Sequence, residues 1–279
     1  MPPIRPPEPS SNDDSAAADP VRFIILSGPR TGSTLVQGAL NSSPEIICFG
    51  EIFNQHLDAI DYRTEGYEST VADMDLRAAN PGAFLRERIL TDPARPVRAT
   101  GFKFHYDHFW GFPGLIEILK KDRDLSVIHL RRRNVLRMVI SARIAEKTGV
   151  YFQSAGTRSG LQGKVVRALR RVWPRPRLPQ DKVTVEPEEI RHAILESDLT
   201  AQHWEGIFQD HKILKLNYED LVPDLEPEFA RIQSFLGLTP AKLAVKTARQ
   251  NPEPLAELIA NYGELRDAFQ GTEYESFLD

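Results

Sequence analysis

The stretch Val21–Ser43, VRFIILSGPRTGSTLVQGALNSS, decides the fold. Four consecutive apolar residues, Phe23 to Leu26, predict a short buried strand. Ser27–Gly32 supply turn residues, and Ser33–Leu40 return to helical spacing through Leu35, Ala39 and Leu40. The result is strand, phosphate-sized loop, helix. Gly28 and Gly32 let successive N–H groups turn inward to meet an anion at the positive end of the helix, and Arg30 adds a fixed charge. The loop is not that of a nucleotide triphosphatase: only Pro29, Arg30 and Thr31 separate the glycines, and Ser33 follows Gly32 with no lysine between. A shorter loop with arginine suits a smaller anionic group than a β,γ-phosphate pair with Mg²⁺. The alternative is a plain glycine turn carrying a surface arginine.

With 279 residues the chain can bury a full core, and one α/β domain over 21–279 behind a tail at 1–20 is the expected organisation. The 35 Lys and Arg against 39 Asp and Glu leave a net charge of −4, so no global field favours nucleic acid or an anionic membrane. Any anion site must be local. Cys48 is the sole cysteine, which excludes an intramolecular disulfide and a cysteine-rich metal site and fits a reducing compartment. Within the apolar Ile46–Phe49 run it reads as a buried thiol, not a nucleophile. No run reaches the roughly 18 apolar residues of a membrane span, and Met1–Pro20 lacks the apolar core of a secretory signal. The expectation is a cytoplasmic protein without a transmembrane segment.

Proline, serine and aspartate dominate Met1–Pro20, so a mobile tail is expected there. Further strands are expected at Glu45–Phe49, Val97–Phe104, Leu125–Leu130 and Lys212–Leu216. Helices are expected at Gly82–Leu90, Leu115–Lys121, Asn134–Lys147, Pro187–His211 and Asp224–Leu236, with Asn54–Asn80 a loop containing helical turns. The segment 148–180 contains no acid and carries Arg158, Lys164, Arg167, Arg170, Arg171, Arg175 and Arg177. It reads as a solvated basic insertion, or as a flap that attracts an acidic acceptor. Strands alternating with helices imply right-handed crossovers and a three-layer α/β fold of the P-loop-like kind, its central, mainly parallel sheet flanked by helices. Ligands of such sheets sit beyond the carboxyl ends of the strands. Gly28–Ser33, Glu51, Lys103 and Arg131–Arg133 all follow strand ends and so can converge on one crevice.

A second anion site is suggested by Arg133 and Ser141, eight positions apart, which a helix beginning near Asn134 would carry along one side. One supplies charge, the other a directional hydroxyl, as a terminal phosphate requires. In this pairing of GPRTGST with RNVLRMVIS the chain resembles the sulfotransferases that use 3′-phosphoadenosine-5′-phosphosulfate (PAPS). GFKF, NYEDLV with a helix ending FLGL, RQNPEPLAELIANYGEL and GTEYESFL are similar to the bacterial carbohydrate branch, which includes nodulation-factor and trehalose sulfotransferases. The likeness spans most of Val21–Leu278. It implies that Pro29, Arg30, Thr31, Gly32, Ser33 and Thr34 hold the 5′-phosphosulfate and that Arg133 and Ser141 hold the 3′-phosphate from the opposite end of the same adenosine. Arg249 would be a further 3′ contact. Tyr218 would pack near the adenine or reach a phosphate, unless NYEDLV simply starts a helix. The implied reaction is in-line sulfuryl transfer to a hydroxyl of a carbohydrate or glycolipid. A tyrosine or small-molecule acceptor, a P-loop-type nucleotide kinase and a non-catalytic nucleotide-binding module are the alternatives.

Such a site must align the reactants, stabilise charge on the leaving phosphate and remove the acceptor's proton. Arg30 and the loop N–H groups suit the leaving oxygen; Lys103 would help, or else make an ordinary salt bridge. Glu51 is the expected general base, because Phe49 and Phe53 flank it and apolar neighbours can raise a carboxyl's pKa; the alternative is a structural ion pair. In the resembling branches a glutamate at the matching place is the proposed base. His105 is the second choice. No metal is expected: His105, Asp107 and His108 crowd one short segment without a further acid nearby. Phe109, Trp110 and Phe112 can stack on a sugar or pack in the core.

Overall fold

The computed structural model describes residues 19–64, 67–90, 97–112, 114–148, 182–245 and 253–278. The expectations for the tail up to residue 18, for the basic insertion from residue 149 onward and for Arg249 fall outside these residues.

Five strands, β1 (Val21–Ser27), β2 (Ile46–Phe49), β3 (Ala99–His105), β4 (Ser126–Arg131) and β5 (Ile213–Asn217), pair in the order β2-β3-β1-β4-β5. Every pairing is parallel. Because β1 lies in the middle of the order, it is covered on both faces, and its side chains divide by alternation. Ile24 and Leu26 join a core with Phe102, Phe104, Val127 and Trp204, whereas Phe23 and Ile25 pack on the opposite face with Val36, Leu40, Ile128 and Leu216. A third cluster joins later helices to one another through Leu136, Ile140, Ile190, Leu258 and Phe269.

The helices are α1 (Ser33–Leu40), α2 (Val71–Ala79), α3 (Pro81–Phe84, continued by a π-turn over Leu85–Ile89), α4 (Leu115–Lys121) and α5 (Val135–Thr148). They continue with α6 (Pro187–Ile207), α7 (Tyr218–Leu221), α8 (Leu225–Phe235), α9 (Leu255–Leu258) and α10 (Tyr262–Phe269). The helix expected to run to His211 ends at Ile207, where Phe208 turns into the core and its N–H still reaches the Trp204 carbonyl. Consecutive connections leave β1 and β4 toward opposite edges of the sheet, so the crevice lies beyond their carboxyl ends.

Register decides what meets there. Ser27 pairs with His105 and with Leu130, and Arg131 pairs with Asn217, so four strands end nearly level. β2 stops at Phe49 opposite Phe102, and the Lys103 N–H bonds to the Gly50 carbonyl at 3.2 Å. That one extra rung brings Glu51 alongside Lys103.

Candidate active site

The loop after β1 is built on two left-handed residues. Gly32 has φ +94° and Arg30 has φ +64°, an angle that a side chain adopts only at a cost. A Cβ on Gly32 would lie 2.5 Å from the Tyr218 ring, so glycine is required both by angle and by space. Thr31 locks the turn, its Oγ1 donating to the Gly28 carbonyl at 2.9 Å, while Pro29 is exposed at the tip. Ser33 and Thr34 open α1. Ser33 Oγ lies 3.3 Å from His105 Nε2, and Thr34 Oγ1 accepts from Lys103 Nζ at 3.0 Å. Three segments thus meet at a helix N-terminus, where backbone N–H groups and the helix dipole favour an anion.

Arg30 and Ser141, assigned by sequence to opposite ends of the nucleotide, touch: Nε and an Nη of Arg30 donate to Ser141 Oγ at 2.9 and 2.7 Å. Burial lowers the Arg30 pKa, and the nearby Glu51 charge raises it in part. The pairing expected of Arg133 and Ser141 is not the one found. The Arg133 guanidinium, half exposed, binds the Asp220 carboxylate from two nitrogens. The reason lies at the base of α5, where the Glu219 carboxylate accepts the backbone N–H groups of Arg133 and Asn134 at 2.9 and 3.1 Å. Those bonds draw the start of α7 against residue 133, leaving Asp220 within its reach.

The middle arginine of the triplet faces the loop instead. Arg132 donates to the Arg30 carbonyl at 3.1 Å and stacks over the Tyr218 ring at 4.5 Å. Tyr218 does start a helix, α7, and its ring is wedged between Gly32 and Arg132. The sequence places Arg132 at the crevice only as part of Arg131–Arg133 and gives it no role of its own, because spacing from Ser141 singles out Arg133. The run of three arginines at a strand end was the available signal.

Beside the loop lies a buried charge cluster. Lys103 Nζ donates to Glu51 Oε1 at 2.8 Å, and Asn54 donates to Glu51 Oε2 at 2.9 Å. Only 1 % of the Lys103 side chain and 16 % of the Glu51 side chain meet solvent. The expectation that apolar neighbours raise the Glu51 pKa is corrected here. Burial does push it up, but the Lys103 and His105 charges and the bonds from Lys103 and Asn54 outweigh that and hold it well below the usual carboxylate range. Lys103 is lowered by burial and raised in part by Glu51.

The two histidines are neutral bases. Burial lowers His105 to about 3 and His108 to about 4. The rings stack at 4.9 Å, and the His105 backbone N–H donates to His108 Nδ1 at 3.2 Å. His108 Nδ1 is therefore an acceptor, which places its proton on Nε2, 3.9 Å from the Glu51 carboxylate. The acid missing from the sequence argument about metals is Glu51: its oxygen and the imidazole nitrogens of His105 and His108 lie within 4.8 Å of one another. To hold a cation these groups would have to detach Glu51 from Lys103 and give up either the His108 Nε2 proton or the Nδ1 bond.

A polar chain runs from beneath the loop through the buried His129 out to the exposed Lys215. The Tyr106 hydroxyl lies 2.6 Å from His129 Nε2, His129 Nδ1 lies 3.1 Å from Glu205, and Lys215 donates to Glu205 at 2.5 Å. The Tyr106 ring sits 3.4 Å from where a Gly28 Cβ would be, close under the 28–34 loop. Of the aromatics weighed for stacking, Phe112 is buried, Phe109 is half-buried, and Trp110 is outside the core.

A parallel β2-β3-β1-β4-β5 sheet, a loop with two left-handed residues at a helix N-terminus and basic side chains at the strand ends define an α/β fold with a candidate anion site and without the triphosphatase lysine. The sulfotransferase domain family matches residues 198–261, from the last turns of α6 through α9. Nodulation protein H of Rhizobium tropici is 24 % identical over 264 residues, covering 93 % of this chain and 94 % of the relative. Nodulation protein H of Rhizobium meliloti (strain 1021) is 27 % identical over 262 residues, covering 93 % and 96 %. Among solved structures, a sulfotransferase from Alicyclobacillus acidocaldarius aligns at 15 % identity with a TM-score of 0.46, over 94 % of this chain and all of that one. The chain is thus similar over residues 198–261 to the sulfotransferase domain family and along most of its length to nodulation protein H.

Proposed function

We propose that this enzyme transfers the sulfuryl group of PAPS to a carbohydrate hydroxyl, with the donor held between the 28–34 loop and the start of α5. The observation that carries the reading is the contact of Arg30 with Ser141, which joins segments 111 residues apart at the carboxyl ends of β1 and β4. A donor whose 5′-phosphosulfate is gripped by the loop would find Arg30 at its leaving oxygen. Arg133, exposed beside α5, would turn from Asp220 to the 3′-phosphate, with Ser141 on the same helix as its neutral partner.

Lys103 and Glu51 divide the proton and charge chemistry. In the resting site Lys103 saturates Glu51, which is ionised and a weak base. When Lys103 turns toward the donor's anionic oxygens, Glu51 keeps its burial and loses its cation. Its proton affinity then rises as the acceptor hydroxyl needs a base. The acceptor oxygen bonds to sulfur and the sulfur–oxygen bond to the 5′-phosphate breaks. The hydroxyl proton passes to Glu51, and the products are a sulfate ester and 3′-phosphoadenosine 5′-phosphate (PAP). His105, on the other side of Glu51, is held too far into the neutral form to be a strong base and is assigned to position the carboxylate. No step requires a metal.

The test is radiolabelled transfer from PAPS to a panel of oligosaccharides, tyrosyl peptides and phenols, with the labelled products identified by mass spectrometry. Label on a sugar hydroxyl is expected. Label only on tyrosyl peptides or phenols would overturn the acceptor assignment.

A further inference from the structure

Trp110 is 72 % exposed, whereas Trp204 is 2 % exposed. An indole left in water forgoes a large hydrophobic gain, so an exposed one invites the question of what covers it. Trp110 is also held in place. Its ring stacks on Phe109 at 4.5 Å and 29°, and Phe109 meets the buried Trp204 edge-on at 5.7 Å. The outer member of a rigid aromatic stack therefore offers a flat face to solvent.

Its position is as telling as its exposure. Trp110 lies two residues past His108, whose Nε2 is 3.9 Å from the Glu51 carboxylate. The rim around it is polar. Gln55 lies against Gly111, where a Cβ would come within 2.3 Å of its Oε1, and His56 and Asp107 are close enough for their charges to act on His108. All three side chains are exposed. A rigid apolar face edged by an amide, an imidazole and a carboxylate matches a pyranose ring, whose C–H face is apolar and whose edge carries hydroxyls. An acyl chain would leave the polar rim unused.

We infer that Trp110 is the platform on which a sugar ring of the acceptor stacks, beside the hydroxyl that Glu51 deprotonates; the inference rests on the carbohydrate reading above. The test measures initial rates with PAPS and chitotetraose, cellotetraose or trehalose for the wild type, Trp110→Ala and Trp110→Tyr. Trp110→Ala is expected to raise KM for the sulfated sugar by about tenfold or more, with kcat and PAP affinity within about twofold, and Trp110→Tyr to keep most of the affinity. Unchanged PAP affinity shows that the variants fold. If the wild type sulfates a sugar and Trp110→Ala leaves KM unchanged, the platform assignment is overturned while the carbohydrate reading stands. If the wild type labels none of the sugars, the carbohydrate reading fails and the platform falls with it.

Discussion

Lys103 sits almost wholly out of water, and it tolerates that position because Thr34 and Glu51 supply oxygens at 3.0 and 2.8 Å. Removing its carboxylate partner leaves a buried ammonium, a change that costs about 3 kcal/mol or more when no acceptor replaces it. Glu51→Gln retains an amide oxygen for Lys103, so it should fold, bind PAP within about threefold of the wild type and lose turnover by about a hundredfold or more. Calorimetry and radiolabelled transfer measure the two effects, and undiminished turnover would take the base role from Glu51. Lys103→Met tests the same pair from the other side. Without the cation, burial is opposed only by the His105 charge and the Asn54 bond and the Glu51 pKa rises, so the residual kcat/KM should fall off on the acid side at a higher pH than in the wild type. An acid limb at the same pH would show that Lys103 does not set the state of Glu51. The sequence pointed to Glu51 through its place after β2, but not to its charge state, since the deciding partner lies 52 residues away on a parallel strand.

At the scale of elements, the backbone of the 28–34 loop is held in a shape that its own sequence only permits. Gly32→Ala combines a left-handed φ with a Cβ 2.5 Å from the Tyr218 ring. It should lower stability by about 1–3 kcal/mol and weaken PAP binding sharply. Tyr218→Ala in the same chain removes the clash but not the strained angle, so the double variant should recover part of the loss in a denaturant titration. Full additivity would mean that the ring does not constrain the loop. The strand, loop and helix of 21–43 were legible because both periodicities and both glycines are local signals. The arginine triplet was legible only as charge: which of Arg131, Arg132 and Arg133 turns to the loop depends on Glu219 pulling the first turn of α7 against α5, a contact between β4 and β5 ends that spacing along one helix does not contain. The sequence left Trp110 open between sugar stacking and core packing; its stack on Phe109 puts it outside the core.

At the scale of the whole molecule, three of the buried histidines among the described residues, His105, His108 and His129, are held toward their neutral form. Burial lowers His105 to about 3 and His108 and His129 to about 4, against 6.5 for the free side chain. A depressed folded-state pKa means that the unfolded chain takes up these protons first. Stability should fall as pH drops below about 6.5, by up to about 1.4 kcal/mol per pH unit for each histidine, and level off once the folded state also protonates. Glu51, depressed below its ordinary value, adds a further loss at lower pH, beneath the usual carboxylate range. Melting temperatures between pH 7.5 and 4.5 check the slope. His129→Gln, which keeps a polar side chain between Tyr106 and Glu205, should flatten it; an unaltered slope would remove His129 from the acid response. The parallel sheet and its crevice were evident from strands alternating with helices, while the level of the strand ends, and with it the Glu51 to Lys103 contact, is set by register.

In the proposed complex one nucleotide reaches from the 28–34 loop to Arg133 and Ser141. The direct measurement is the calorimetric affinity for PAP and for adenosine 5′-phosphate, which differ only in the 3′-phosphate, in the wild type and in Arg133→Ala/Ser141→Ala. The wild type should prefer PAP by about tenfold to a hundredfold, the worth of a charge-assisted contact, and the double variant should lose that preference while binding adenosine 5′-phosphate as before. An undiminished preference for PAP in the double variant would contradict the account.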